Sequence, residues 1–176
     1  KNSFFIKTFH TDIDTLLNGV IKDANTLGWF PSFMETEDYV GKWDEKRFKK
    51  GEIKVRFEAK FDEQIVEKIP PFLYHITPTQ NSSKILTIGL APKSRSKAAH
   101  HPDRVYLSKD LKDLENLAQM FYEKTGIKNW TVLKIETDAI PGDYFKLYTD
   151  PNYEYGYYTL NNIPPYAIKK VKDIEL

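Results

Sequence analysis

The chain has 176 residues, of which 40% are hydrophobic and 29% are charged, and its formal net charge is +1 at pH 7. This length and composition predict one folded domain with a sizeable core, and the small net charge gives no overall attraction to nucleic acid or to an anionic membrane. Cysteine is absent and no apolar run approaches the roughly 18 residues of a membrane helix, which excludes disulfides, thiolate zinc sites, Cys nucleophiles and a helical membrane span.

The N-terminal third predicts a strand, a helix and a loop. The first residues, KNSFF, lack an initiator Met and a signal-peptide pattern, which indicates a trimmed N-terminus and leaves a longer parent protein open. Residues 4–9 predict a short strand. Residues 12–25 predict a helix, because apolar residues recur at helical spacing after Asp12, a good N-cap. Residues 29–50, with Pro31 and mixed charges, predict a loop with one helical turn and a solvated surface.

The middle of the chain carries the clearest strand. In IKVRFEAKF, residues 53–61, apolar side chains alternate strictly with charged or polar ones, which predicts a half-buried strand. After a Pro pair, residues 72–76 predict a second strand. Asn81 or Ser82 then caps a short helix, and Gly89 suits the position that follows its end.

The C-terminal half predicts five strands and one more helix. Residues 104–107 predict a strand, and Ser108 or Asp110 caps a helix that ends at Gly126. Further strands are predicted at residues 130–135, 144–147 and 155–159, with a final edge strand over 168–174. Many short strands with few helices do not form a regular alternating pattern, so the predicted class is α+β, with two packed antiparallel-rich sheets.

Three segments carry the signal for function. In LYHITPTQNSSKILTIGLAPKS, His75 ends a strand and is followed by Thr77, a short helix and a Gly-Leu turn. RVYLSKDLKDLENLA has a brief strand with Tyr106 and then a helix. NYEYGYYTLNNIPPYAIKKV has Glu154 ahead of an aromatic strand. A lone His in an apolar strand is more often a satisfied structural residue, so the order of the three segments is what matters.

In that order the segments resemble the three NAD-binding motifs of the ADP-ribosyltransferase superfamily. They are similar to its His-Tyr-Glu class, which includes poly(ADP-ribose) polymerases and diphtheria-like toxins. The resemblance covers about residues 72–171. It implies an ADP-ribosyltransferase-like catalytic core over 71–176, with residues 1–70 as an N-terminal α/β extension or subdomain packed on that core, together one compact unit.

The resemblance implies an enzyme that uses NAD as a substrate and breaks the bond between nicotinamide and ribose. His75 would hydrogen-bond a ribose hydroxyl, and Tyr106 would stack on the nicotinamide ring. Glu154 would hold the ribose 2′-hydroxyl and stabilise the oxocarbenium-like sugar, as carboxylates do in glycoside hydrolysis. The product of this reaction would be a mono-ADP-ribosylated protein or nucleic acid.

Other residues would complete the cofactor site. The backbone beside Ile76 would hold the nicotinamide amide, Thr77 would support it, and Ser108 would line the site. Arg104, or Arg95, would reach the pyrophosphate, because guanidinium matches phosphate oxygens well. The family often has Gly after the His, so Ile76 would narrow the cavity. The pair His100 and His101 has no carboxylate at a ligand spacing, and we expect no metal.

Alternatives stay open at this point. A relative of RNA 2′-phosphotransferases would share the fold but needs several Arg residues, and no Arg follows Arg104. A non-catalytic domain binding NAD, ADP-ribose or a protein, and an NAD hydrolase, are the others. We expect a cytoplasmic protein without a membrane partner, either a housekeeping enzyme or a toxin or phage effector that is delivered to or made in a host cell. The acceptor, the role of residues 1–70 and the oligomeric state are not readable from the sequence.

Overall fold

The structure, a computed structural model, describes residues 2–93 and 103–176. These residues form two compact units: residues 2–63 with 151–154, and residues 64–93 with 103–150 and 155–176. Each unit contains one antiparallel sheet, and the described residues include three helices. The predicted α+β class with two antiparallel sheets is therefore confirmed.

The first unit is built on a four-stranded sheet in the order β1-β4-β2-β3. Its strands are β1 (Asn2–Asp12), β2 (Trp29–Glu35), β3 (Val40–Lys42) and β4 (Lys50–Asp62). The alternation predicted for β4 is confirmed, because Ile53, Val55, Phe57 and Ala59 are all buried. These side chains form one face of the sheet and supply the middle of the unit's core.

One helix, α1, lies between β1 and β2 in this unit. It runs through Ile13–Leu16, a π-helical stretch Leu17–Ile21 and Lys22–Thr26. Asp12 caps it as predicted, accepting from the Thr15 backbone N–H at 2.8 Å. The two hydrogen bonds from Thr15, backbone first, hold the pKa of Asp12 below its ordinary value. The buried residues that join α1 to the sheet are Leu16, Ile21, Ala24, Leu27 and Trp29.

The second unit is built on a six-stranded sheet in the order β10-β7-β5-β6-β9-β8. The strands are β5 (Phe72–Pro78), β6 (Val105–Ser108), β7 (Asn129–Glu136), β8 (Tyr148–Thr149), β9 (Gly156–Thr159) and β10 (Ile168–Glu175). The final strand lies at the edge, as predicted. The core on one face includes Leu73, Leu107, Leu133, Ile135 and Ile163.

Two helices belong to this unit. Helix α2 (Thr79–Ile88) follows β5 directly and ends at Gly89, whose φ is +90°. Helix α3 (Leu111–Thr125) is capped by Asp110, which accepts from the Lys112 backbone N–H, and ends at Gly126 in the left-handed conformation. None of the helices in the described part of the chain is long and apolar enough to cross a membrane.

Three local predictions are wrong. Residues 29–50 contain the predicted helical turn at Glu45–Arg47, but also β2 and β3 where a loop was predicted, because Pro31 and a bulge break the alternation that identifies a strand in sequence. Residues 144–147 are not a strand. Phe145 and Leu147 are buried, but the backbone N–H of Lys146 donates to the side chain of Asn161 instead of a ladder. Helix α2 begins at Thr79, so neither Asn81 nor Ser82 caps it.

Candidate functional site

The strands that carry the first two motifs, β5 and β6, are neighbours that diverge from each other. In the described residues the register between them rests on one pair, Tyr74 with Ser108. Strand β5 instead pairs along its whole length with β7, and β6 pairs along its whole length with β9. The sheet is therefore continuous on both sides of a short, weakly paired junction, and His75 is the residue next to that junction.

The imidazole of His75 bridges the junction. Its Nδ1 lies 2.7 Å from the backbone oxygen of Tyr106, and the side chain is half-buried. A carbonyl oxygen only accepts, so Nδ1 must carry the proton, and in the neutral ring Nε2 is then an acceptor. The structure thus joins the His and Tyr motifs by one hydrogen bond and fixes the ring's tautomer.

Tyr106 lies in a row of three tyrosines across three strands. It pairs with Tyr158 on β9, which pairs with Tyr148 on β8, so the three side chains share one face of the sheet. The rings of Tyr148 and Tyr158 stack, with centroids 5.1 Å apart. Tyr106 is only 6% exposed. Its phenol is therefore a buried part of this row in the structure.

Arg104 lies on the same face of the sheet, immediately before β6. Its guanidinium carbon is 4.0 Å from the centroid of the Tyr158 ring, and the residue is buried. A guanidinium stacked on a phenol ring is held in a fixed plane. The structure therefore brings Arg104 next to the tyrosine row that contains Tyr106.

The remaining predicted cofactor residues are buried beside these strands. Ile76 pairs with Val132, and Thr77 pairs with Thr131, in the β5–β7 ladder. Ser108 is 2% exposed, and its hydroxyl donates to the backbone oxygen of Asp110 at 3.1 Å. Ser108 therefore contacts the backbone of Asp110, and Asp110, the other predicted cap candidate, is the residue that caps α3.

The third motif lies partly in the other unit. Glu154 ends the turn of residues 151–154 in the first unit, is exposed, and precedes β9 by two residues. Its assignment as the catalytic carboxylate stays a prediction. Arg95, His100 and His101 lie outside the described residues.

A polar network that the sequence did not indicate lies near the start of α2. The hydroxyl of Thr131 is 2.7 Å from Asp173 Oδ1 and 3.0 Å from the hydroxyl of Thr79, and Lys170 Nζ donates to Asp173 Oδ2 at 2.7 Å. The Thr131 hydroxyl has one O–H, which it donates to the Asp173 carboxylate. The hydroxyl of Thr79 therefore donates to the oxygen of Thr131. These hydrogen bonds, that of Lys170 first, hold the pKa of Asp173 below its ordinary value.

Two grooves accompany these features, one in each unit. Thr79 and Asp173 line a groove of about 590 Å³ that also includes Lys128 and Glu175. In the first unit, a groove of about 710 Å³ is lined by residues 35–38, 46–52 and 54, part of which was predicted to be a solvated surface. The side chains that line this groove include both acidic and basic ones. Within residues 2–93 and 103–176, no group of three His, Asp or Glu side chains is arranged to hold a metal ion.

Comparison with known proteins gives no assignment for this site, because no family model matches the chain and no curated protein matches it significantly.

Proposed function

We propose that the chain is an NAD-dependent mono-ADP-ribosyltransferase. The observation that supports this function best is the hydrogen bond between His75 Nδ1 and the Tyr106 backbone oxygen. It links two of the three motifs of the His-Tyr-Glu resemblance, which are 31 residues apart. It also leaves Nε2 able to accept a hydrogen bond, which is what binding a ribose hydroxyl requires of this residue.

The proposed reaction breaks the bond between the nicotinamide nitrogen and the anomeric carbon of ribose. The bonding electron pair goes to the nicotinamide ring, which removes its positive charge and leaves an oxocarbenium-like sugar. A nucleophile on the acceptor then forms a bond to the anomeric carbon and loses its proton. In this scheme His75 Nε2 orients the sugar by accepting from a hydroxyl, and the Glu154 carboxylate stabilises the cation, a contribution of a few kcal/mol at about the size of one oxyanion-hole donor.

Arg104 and the tyrosine row have separate parts in the proposal. The Arg104 guanidinium, held on Tyr158, would neutralise the pyrophosphate of NAD. Tyr106 would present its ring to the nicotinamide, which requires its phenol to become accessible, since it is 6% exposed and, by the pairing of Tyr74 with Ser108, lies on the face of the sheet opposite to the His75 side chain. Ile76 lies in β5 next to His75, at a position where the family often has Gly, and its side chain would narrow the cavity for nicotinamide.

The burial of Tyr106 supports a second candidate. A domain of this kind that binds NAD or ADP-ribose, but lacks a stacking surface for nicotinamide, would bind its ligand without turnover. The two functions differ in one measurable respect, which is whether the bond between nicotinamide and ribose breaks.

The test is incubation of the purified chain with adenylate-labelled NAD and a cell lysate. We expect the wild type to label macromolecules. The amount of label incorporated should decrease at least 10-fold with His75→Asn and with Glu154→Gln. The matched control is Glu123→Gln, which changes an exposed carboxylate on α3 and should label normally.

The other outcomes exclude the proposal in distinct ways. Free ADP-ribose without labelling identifies a hydrolase. NAD binding by calorimetry without turnover identifies the binding domain. Removal of a 2′-phosphate from RNA identifies the phosphotransferase relative.

A further inference from the structure

The exposed face of the four-stranded sheet in the first unit carries a small grid of six side chains. The register gives two rows across β1, β4 and β2: Phe4, Glu58 and Phe30 in one, and Ile6, Arg56 and Phe33 in the next. The four apolar members are 40% to 55% exposed. Large exposed apolar side chains grouped in this way mark an interaction site more often than single ones do.

A bulge in β2 creates half of this grid. Residues 30 and 33 would point to opposite faces of a regular strand, since side chains alternate. The register shifts between Pro31 and Phe33, so that Phe30 faces Glu58 and Phe33 faces Arg56 on the same side. Bulges that redirect a side chain are typical of functional surfaces, and this one brings a third phenylalanine onto the exposed face.

The centre of the grid is one cation beside one anion. Arg56 Nη2 is 3.3 Å from Glu58 Oε1, and the guanidinium carbon is 4.0 Å from the centroid of the Phe4 ring. Farther along the same face, Lys54 lies 3.7 Å from Glu35. Each basic side chain here is paired with an acidic one, so the face lacks the excess of Lys and Arg that phosphate recognition requires. The face therefore suits a protein partner better than a nucleic acid.

From this pattern we propose that the face binds a second copy of the chain through a two-fold axis. A two-fold interface must be complementary to itself. Consider a two-fold axis that lies in the plane of the interface, at right angles to β4, and passes over β4 between residues 56 and 58. The partner's β4 then runs in the opposite direction over the first copy's β4. This operation places each row against the other row of the partner.

The two rows match under this operation. Arg56 meets the partner's Glu58, Phe30 meets the partner's Phe33, and Phe4 meets the partner's Ile6, each contact occurring twice. The central charges then form an alternating cluster of two guanidinium groups and two carboxylates, surrounded by apolar side chains. Arg and aromatic residues at the centre of a patch are the usual source of binding energy in protein interfaces.

The grid is small compared with the roughly 800 Å² that a standard interface buries on each partner. The dimer is therefore a weak one that forms as the protein concentration increases. Its mass is twice the 20.6 kDa of the chain.

Charge reversal tests this geometry. Arg56→Glu leaves two carboxylates on each copy, and Glu58→Arg leaves two guanidinium groups, so sedimentation should find each variant alone monomeric at concentrations where the wild type dimerises. An equimolar mixture of the two variants should recover the dimer, since opposite charges meet again. The double variant Arg56→Glu/Glu58→Arg should dimerise with itself. Lys169→Glu, an exposed reversal in the second unit, is the matched control and should dimerise like the wild type.

Circular dichroism of each variant checks that the sheet is intact, and recovery in the mixture cannot come from a misfolded partner. A wild type that stays monomeric up to millimolar concentration overturns the proposal, as does a dimer that persists in both single variants. A monomer that instead binds a labelled single-stranded oligonucleotide, and loses it with Phe33→Ala, assigns the face to nucleic acid and also overturns it.

Discussion

His75 shows why single residues of this protein could be predicted only in part. The motif order identified the residue, but not its proton. The tautomer is fixed by the backbone oxygen of Tyr106, which is 31 residues away in the chain. Every residue type has such a backbone oxygen. The sequence contains no signal for such a contact. The same holds for Thr131, whose place in an apolar strand gave no indication of its bond to Asp173.

The bond from His75 predicts a graded effect on stability. His75→Ala leaves the Tyr106 oxygen without this donor in a half-buried place, and it should lower the free energy of unfolding by about 1 to 3 kcal/mol. His75→Asn places an amide nitrogen near the former Nδ1 and should recover part of that loss. Urea denaturation of the three proteins measures it, and equal stability of the Ala and Asn variants would contradict the role of the bond.

Asp173 predicts a pH dependence. Its pKa in the folded chain is below the ordinary value of 3.8, because Lys170 and Thr131 hydrogen-bond its charged form. Its contribution to stability is therefore fully present above pH 3.8 and is lost as the pH falls through the lower folded pKa.

The comparison variant for this pH dependence is Asp173→Asn. The difference in unfolding free energy between the wild type and Asp173→Asn should be constant near neutral pH and shrink in acid. A difference that grows as the pH falls would contradict the sign.

At the scale of elements, periodicity predicted what the structure contains wherever it was unbroken. Strand β4 alternates over its buried residues, and α3 has Leu114, Leu117 and Ala118 buried, so both elements were predicted, α3 with Asp110 among its two cap candidates. Strand β2 was missed because its bulge shifts the alternation by one residue. The segment ending at Leu147 was predicted as a strand from its apolar residues, but those residues pack without a ladder.

The two glycines that end the helices of the second unit predict different costs for an added methyl group. Both have a positive φ, +90° at Gly89 and +76° at Gly126. At Gly126 a Cβ meets nothing within 4 Å, so Gly126→Ala should cost only the backbone strain, about 1 to 2 kcal/mol. At Gly89 a Cβ overlaps the backbone oxygen of Ile163, which pairs with Leu90.

Thermal unfolding compares the two variants directly. Gly126→Ala should lower Tm by about 2 to 8 °C, since each kcal/mol is worth about 2 to 4 °C at this size. Gly89→Ala should lower it further, because the turn that pairs Leu90 with Ile163 must move. Equal values for both variants would show that the close approach to Ile163 has no energetic weight.

At the scale of the whole molecule, the sequence predicted the class of fold and proposed the functional residues from the order of three motifs. It could not predict which of them would be brought together, because this depends on the strand order of a sheet whose neighbours are far apart in the chain. Strands β5 and β6 are adjacent in the sheet although residues 79–104 lie between them in the chain, and this adjacency joins His75 to Tyr106. The self-complementary grid depends likewise on the register of three strands.

The release of nicotinamide from NAD tests the proposed function most directly, because it requires no knowledge of the acceptor. Chromatography should detect release by the wild type that decreases at least 10-fold in His75→Asn, the variant that keeps a donor to Tyr106 but has no Nε2. Release by the wild type that is unchanged in His75→Asn, or no release at all, whether or not NAD binds, would contradict the proposed function.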